Sequence, residues 1–172
     1  VIIALPSRFV LDAVRECAQK RVKGIVIISS GFADIGEEGA EQQRELLEIA
    51  RAAQMRIVGP NTTGIVNPYG NFTTSFVEMN SVRKGNVAFI SQTGMFAGLI
   101  MEHILTAETF GLSKVAGLGN KADVTDQEIL EYFERDDATK AIMIYMEGVK
   151  EGRNFLSIAR RVGAKKPIAV LK

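Results

Sequence analysis

Residues that could contact a ligand follow four apolar runs of this sequence. The four segments are Ser29-Ser30-Gly31-Phe32, Gly59-Pro60-Asn61-Thr62-Thr63-Gly64, Ser91-Gln92-Thr93-Gly94 and Tyr145-Met146-Glu147-Gly148. In open α/β sheets, ligands bind beyond the carboxyl ends of the strands, so these segments form the candidate site. Each also has a plainer interpretation, as an ordinary loop, a domain-linking turn, a helix N-cap or a solvated strand end.

The segment Ser91-Gln92-Thr93-Gly94 carries the clearest chemistry. It follows a strand-like run, Asn86 to Ile90, and a helix is expected to start near Met95. Free backbone N–H groups and the positive end of a helix dipole together favour a phosphate. The segment lacks the Gly-Lys-Ser/Thr of a Walker A motif. Glu147 follows another strand at the same edge, where its carboxylate could orient an imidazole or bind a cation.

The single histidine and the single cysteine offer no second site. His103 lies among Leu99, Ile100 and Ile104, which indicates a packed helical residue. Cys17 falls on the apolar stripe of a helix and is expected in the core. With one residue of each type, the sequence argues against a zinc site, and no metal site is predicted.

The elements that must position these segments alternate between strands and helices. Seven apolar runs are predicted as strands: Ile2 to Leu5, Ile25 to Ile28, Arg56 to Val58, Asn86 to Ile90, Lys114 to Leu118, Ala141 to Met146 and Ile168 to Leu171. Continuous rather than alternating apolar residues are typical of a parallel sheet buried on both faces. Helical spacing between the runs, and a capping box formed by Thr125 and Glu128, complete the pattern. The sequence therefore predicts a doubly wound α/β fold.

The alternation breaks between Gly59 and Gly85, which is rich in Gly, Pro, Asn, Ser and Thr. We expect a first unit over residues 1–68, a linker over 69–84 and a second unit over 85–172. The first unit has only three predicted strands, so its N-terminal half is expected to be missing. The chain also begins inside an apolar run without Met, which indicates a piece of something longer.

Composition narrows the possible functions. Formal net charge is +1 with scattered Lys and Arg, so neither nucleic acid nor an anionic membrane is an expected partner. The apolar runs fall far short of the roughly 20 residues that span a bilayer. No signal peptide is recognisable at the N-terminus. One cysteine fits a reducing compartment, so a cytoplasmic location is expected.

Taken in order, these segments resemble one family, the NDP-forming acyl-CoA synthetases of the succinyl-CoA synthetase type. Matching segments are Pro6 to Phe9, Ser29 to Phe32, Gly59 to Gly64, Lys84 to Gly94, Gly119 to Val124 and Tyr145 to Gly148. The resemblance is greatest to archaeal and bacterial ADP-forming acetyl-CoA synthetases. It implies a partial Rossmann-like CoA-binding domain followed by a flavodoxin-like, succinyl-CoA-synthetase-like domain that is truncated at its end.

The resemblance also implies roles for individual residues. The CoA contacts would come from Pro6, Ser30, Gly31, Asn61 and Thr62. Phosphate would be held by Ser91, Gln92, Thr93 and Gly94. Glu147 would orient a phosphorylated histidine, which carries the phosphoryl group between an acyl phosphate and ADP. One departure concerns Thr62, where the family usually has Cys.

The family's phosphohistidine segment and its glycine-rich CoA loop are both expected outside these 172 residues. This piece alone is therefore expected to be inactive. The implied partners are an acyl-CoA or carboxylic acid and an ATP-grasp domain or subunit, which would bind ADP or ATP with Mg²⁺. An oligomer is also expected.

Two other functions compete with the ligase. Some protein lysine acetyltransferases carry a synthetase-like region that senses CoA or another ligand without catalysis. Retention of Glu147 and of Ser91-Gln92-Thr93-Gly94 favours the enzyme. A generic NAD-binding domain is disfavoured, because no G-x-G-x-x-G follows a strand.

Overall fold

The computed structural model describes residues 1–75, 82–92 and 110–172, and its strands form two sheets. The first sheet has three parallel strands in sequence order: β1 (Ile2–Ile3), β2 (Gly24–Ile27) and β3 (Arg56–Val58). Two helices connect them, α1 (Ser7–Gln19) and α2 (Glu37–Ala52). This arrangement leaves the loops after the strands at one edge of the sheet.

The first unit has its own core. Helix α1 buries Val10, Val14 and Cys17, the stripe that its apolar spacing predicts. Helix α2 begins with two acidic residues, which suit the positive end of the helix dipole, and it buries Leu46 and Ala50. These side chains pack with the buried residues of the strands in one cluster.

The second sheet has six strands in the order β5-β4-β7-β6-β8-β9. They are β4 (Ile65–Asn67), β5 (Phe72–Thr73), β6 (Lys84–Ser91), β7 (Leu112–Gly117), β8 (Ala141–Tyr145) and β9 (Ile168–Leu171). The last four are parallel, whereas β4 is antiparallel to both β5 and β7. Along the chain, helix α3 (Asp126–Arg135) connects β7 to β8, and helix α4 (Gly152–Gly163) connects β8 to β9.

Both faces of the second sheet are covered. On one face, Ala88 and Ile90 of β6 pack in a cluster that includes Leu130 of α3 and Phe155 of α4. On the other face, Phe89 lies in a cluster with residues of β4 and β7. The apolar strands are thus buried from two sides, and the predicted α/β fold class is confirmed. The capping box of Thr125 and Glu128 at the start of α3 is confirmed as well.

The two strands β4 and β5 are additions to the prediction. They lie in the stretch that shows no sustained period, because strands of three and two residues are too short to show one. Strand β5 falls inside the predicted linker, residues 69–84, and both strands join the second sheet. The division at residues 1–68 and 85–172 stays a prediction.

Two further sequence predictions, the helix near Met95 and the packing of His103, lie outside the described residues. In the parts of the chain that the structure describes, every helix is too short or too polar to cross a membrane.

Candidate functional site

A cleft of about 400 Å³ opens where the strand-end loops of the two sheets meet. Both units line it. The lining residues are Ala33, Asp34, Asn61, Gln92, Gly119, Asn120 and Glu147. The cleft therefore brings together one residue predicted to bind CoA, one predicted to bind phosphate and the carboxylate predicted to orient a histidine.

The loop after β7 joins the two units along the floor of this cleft. Three of its N–H groups donate to carbonyl oxygens of the first unit: Asn120 to Pro60 (2.9 Å), Ala122 to Gly59 (3.1 Å) and Val124 to Ile57 (3.1 Å). Gly119 permits the approach, since it has φ +57° and a Cβ there would lie 2.2 Å from the Pro60 oxygen. These hydrogen bonds hold the loop against the segment from Ile57 to Pro60 and so join the two units.

A cluster of ion pairs around Arg56 also joins the two units. Arg56 of β3 donates to Asp123 (2.9 Å) and to Glu128 (2.7 Å), and Asp123 also accepts the N–H of Ile57 (2.8 Å). The two carboxylates raise the pKa of the Arg56 guanidinium further above its ordinary value, Asp123 contributing first.

Thr62 ties the turn after β3 to the second sheet. Its side chain is buried, and its hydroxyl donates to the Gly117 carbonyl (2.7 Å) while accepting the N–H of Gly64 (2.9 Å). The CoA contact that the resemblance implies for Thr62 stays a prediction. The geometry gives the hydroxyl a structural task that a cysteine thiol could fill only weakly.

We expect Thr62→Val to lower the free energy of unfolding by about 1–3 kcal/mol, because the isosteric change leaves a buried N–H and a buried C=O without a partner. Urea unfolding of the purified protein measures it. Thr62→Ser keeps the hydroxyl and is the matched control. A Val variant as stable as the Ser variant would contradict this role.

Asp34 and Asn120 both line the cleft and are hydrogen-bonded to each other. The Asn120 amide donates to Asp34 (3.0 Å) and to Gln43 (3.0 Å), and Asp34 also accepts the N–H groups of Gly31 (3.0 Å) and Phe32 (2.9 Å). Burial on its own would raise the pKa of Asp34, but the Asn120 amide and these backbone N–H groups outweigh it and lower the pKa. The carboxylate therefore stays ionised and holds the Gly31 loop against the second unit.

Gln92 organises the turn that carries Glu147. Its side-chain oxygen accepts the N–H groups of Glu147 (2.8 Å) and Gly148 (3.1 Å), together with the ammonium of Lys121 (3.0 Å). The Glu147 residue is exposed at the cleft. Its carboxylate is thus presented from a backbone that Gln92 holds in place.

Lys121 is one of the most buried charged residues near the cleft, at 2% exposure. Besides Gln92, its ammonium donates to Asp126 (2.7 Å) and to the Gly148 carbonyl (2.6 Å). Asp126 is itself buried at the start of α3. A buried ion pair beneath the Glu147 turn thus connects three loops of the second unit.

The other predicted site residues that the structure describes do not line the cleft. Pro6 is the exposed N-cap of α1, Ser30 is exposed in the loop after β2, and Gly31 lies beside it with φ +98°. Ser91 is buried at the end of β6, and the phosphate role implied for it stays a prediction. Thr93 and Gly94 lie outside the described residues.

Sequence reasoning left Asp34, Asn120 and Lys121 without a role. Asn120 and Lys121 lie in the segment Gly119 to Val124, which matches the family at this edge of the sheet. Its position after β7 could therefore have indicated that these two residues belong to the site. Asp34 carries no signal of spacing, since its importance comes from a contact with Asn120, far along the chain. Within the described residues, no group of three His, Cys, Asp or Glu side chains could hold a metal ion.

Two family profiles match the chain. Residues 1–68 match the family described as CoA binding domain, and residues 84–172 match the one described as Succinyl-CoA ligase like flavodoxin domain. A solved structure of similar fold is the dinucleotide-forming acetyl-coenzyme A synthetase 1 of Ca. Korarchaeum cryptofilum, in complex with phosphate and ADP. The TM-score is 0.93 and the sequence identity is 38%. The match covers 99% of this chain and 36% of the chain in that structure.

Curated relatives agree with these profiles. The ADP-forming acetate–CoA ligase II of Archaeoglobus fulgidus is 48% identical over 172 residues, which are 99% of this chain and 25% of that protein. The alpha subunit of the ADP-forming acetate–CoA ligase II of Pyrococcus furiosus is 44% identical, with 99% and 37% covered. These relatives lend no support to the acetyltransferase alternative. The chain belongs to the succinyl-CoA ligase-like family of ADP-forming acyl-CoA synthetases and corresponds to a part of those proteins.

Proposed function

We propose that this chain is the CoA- and phosphate-binding part of an ADP-forming acyl-CoA synthetase. The reaction converts acyl-CoA, phosphate and ADP into a carboxylic acid, CoA and ATP, through an acyl phosphate and a phosphohistidine, and it runs in both directions. The observation that carries the proposal is the cleft in which Asn61 of the first unit faces Gln92 and Glu147 of the second. An acyl-CoA held by the first unit would present its thioester to a phosphate held by the second.

The CoA side of the proposal rests on the carboxyl edge of the three-stranded sheet. Asn61 has φ +58°, and its N–H donates to the Ser29 carbonyl (2.9 Å), so the loops after β2 and β3 are joined. We propose that Pro6, Ser30, Gly31, Asn61 and Thr62 form the CoA-binding edge. The match of residues 1–68 to a CoA binding domain supports this assignment.

The phosphate side rests on β6 and β8. We assign phosphate to Ser91, Gln92, Thr93 and Gly94, and the phosphohistidine contact to Glu147. A carboxylate at the cleft can accept the N–H of an imidazole and so fix the ring nitrogen that takes the phosphoryl group. The similar structure from Ca. Korarchaeum cryptofilum, in complex with phosphate and ADP, supports a phosphate-dependent reaction.

The remaining parts are proposed to lie elsewhere in the complete protein, since this chain spans 25% and 37% of the two relatives described above. An ATP-grasp domain or subunit would bind ADP or ATP with Mg²⁺, and the histidine would come from outside this chain. On this proposal the 172 residues alone do not catalyse the reaction. We place the enzyme in the cytoplasm as an oligomer, and the buried thiol of Cys17 is consistent with a reducing compartment.

The decisive experiment uses the full-length protein with its ATP-grasp partner, incubated with γ-labelled ATP and Mg²⁺. We expect an acid-labile, base-stable label on the protein that added ADP discharges. Calorimetry with CoA tests the binding half separately. Protein that binds CoA but never takes up label would overturn the ligase proposal, and protein that binds no CoA would overturn the CoA-binding half.

A further inference from the structure

The orientation of the Gln92 amide is determined by its surroundings. Its oxygen receives three donors: the N–H groups of Glu147 and Gly148 and the ammonium of Lys121. Rotating the amide by half a turn would place its NH₂ group against those same three donors, which is electrostatically unfavourable. The oxygen therefore faces inward, and the NH₂ group is the part of Gln92 left for the cleft that this residue lines.

Lys121 supplies the strongest of the three donors, because a hydrogen bond from a charged group is worth about twice a neutral one. The ammonium is buried and paired with Asp126, so its position is fixed by packing as well as by charge. Its third bond goes to the Gly148 carbonyl. One cation thus contacts both the amide oxygen of Gln92 and the turn that follows Glu147.

We propose that Lys121, held by Asp126, is a positioning residue that directs the NH₂ group of Gln92 into the cleft as a donor to phosphate. The identity of the anion as phosphate rests on the proposed function, whereas the orientation of the amide rests on the contacts alone. Lys121 itself lies beneath the turn and acts through Gln92. A lysine that served only to stabilise the fold would have no effect on phosphate once stability was restored, and this difference can be tested.

Two variants of the full-length protein separate these roles. Gln92→Glu keeps an acceptor for all three donors but replaces the cleft-facing NH₂ group with a carboxylate oxygen, which repels phosphate. The double variant Lys121→Met, Asp126→Leu removes the ion pair with groups of similar size, a change that buried pairs often tolerate. It also leaves Gln92 with its two backbone donors only, so its amide is less firmly held.

The assay is equilibrium dialysis with labelled inorganic phosphate, which needs no turnover. We expect Gln92→Glu to weaken phosphate binding by a factor of roughly 30 or more, and the double variant by about 5- to 10-fold, the value of one ordinary hydrogen bond. Affinity for CoA, measured by calorimetry, should change by less than about twofold in both. Thermal unfolding verifies that each variant is folded.

Each result bears on the inference. A folded double variant with wild-type phosphate affinity would overturn the positioning role of Lys121, and Gln92→Glu with wild-type affinity would overturn the donor role of Gln92. A wild-type protein that binds no phosphate would overturn both. Phosphate binding that depends on these residues in a protein that never takes up label from ATP would instead sustain the inference while the proposed ligase function fails.

Discussion

Replacing Glu147 with Gln in the full-length protein is expected to lower the rate of phosphoryl transfer by a factor on the order of 100 or more. The change keeps the size of the side chain and removes its charge. A neutral amide can still accept a hydrogen bond from an imidazole, but it does not stabilise the positive charge of a phosphorylated ring as a carboxylate does. Because Gln92 holds the backbone N–H of Glu147 rather than its side chain, the turn should keep its shape.

The measurement compares two steps in the same variant. Rapid-quench labelling with γ-labelled ATP reports formation of the phosphorylated protein, and calorimetry reports CoA affinity, which should stay near the wild-type value. Glu48→Gln, an exposed position on α2 away from the cleft, makes the same chemical change as a matched control. Equal labelling rates in the Glu147 and Glu48 variants would show that Glu147 has no part in phosphoryl transfer.

The sequence predicts the fold well wherever local pattern decides it. Continuous apolar runs in β6 and β7 predict strands buried on both faces, and Thr125 with Glu128 predicts the start of α3. The same reasoning predicts that Asn61, Gln92 and Glu147 share an edge, because each follows a parallel strand. Their meeting in one cleft is the structural outcome of that rule.

The interior of the site depends on contacts that no local pattern reveals. Thr62 follows β3, as a ligand-binding residue would, yet its hydroxyl turns inward because Gly117 of the second sheet approaches it. Lys121 and Asp126 appear in sequence as a charged pair near a loop, which normally indicates a solvated surface. Their burial results from the Gln92 and Gly148 segments closing over them. Long-range packing, not residue type, therefore decides which of these polar side chains are buried.

The same burial leads to the second large effect, on stability. We expect Lys121→Met alone to lower the free energy of unfolding by about 3–5 kcal/mol, because it leaves the Asp126 carboxylate buried without its cation. One oxygen of Asp126 already lacks a hydrogen-bond partner, and within the described residues Lys121 is the side chain that donates to the other. Urea unfolding of the full-length protein, followed through the transition of this part, measures the change.

A second buried pair shows why the loss should be specific to this site. Lys114 donates to Asp136 (3.1 Å), but Asp136 also accepts the hydroxyl of Thr139 (2.6 Å) and is less buried than Asp126. Lys114→Met should therefore lower the free energy of unfolding by clearly less, about 1–3 kcal/mol.

The double variant Lys121→Met, Asp126→Leu should recover most of the stability lost by Lys121→Met. If it stayed as unstable as the single variant, the packing of the lysine stem, not the stranded carboxylate, would be the cause. Recovery of stability without recovery of phosphate affinity would show that the pair is retained for the site it supports.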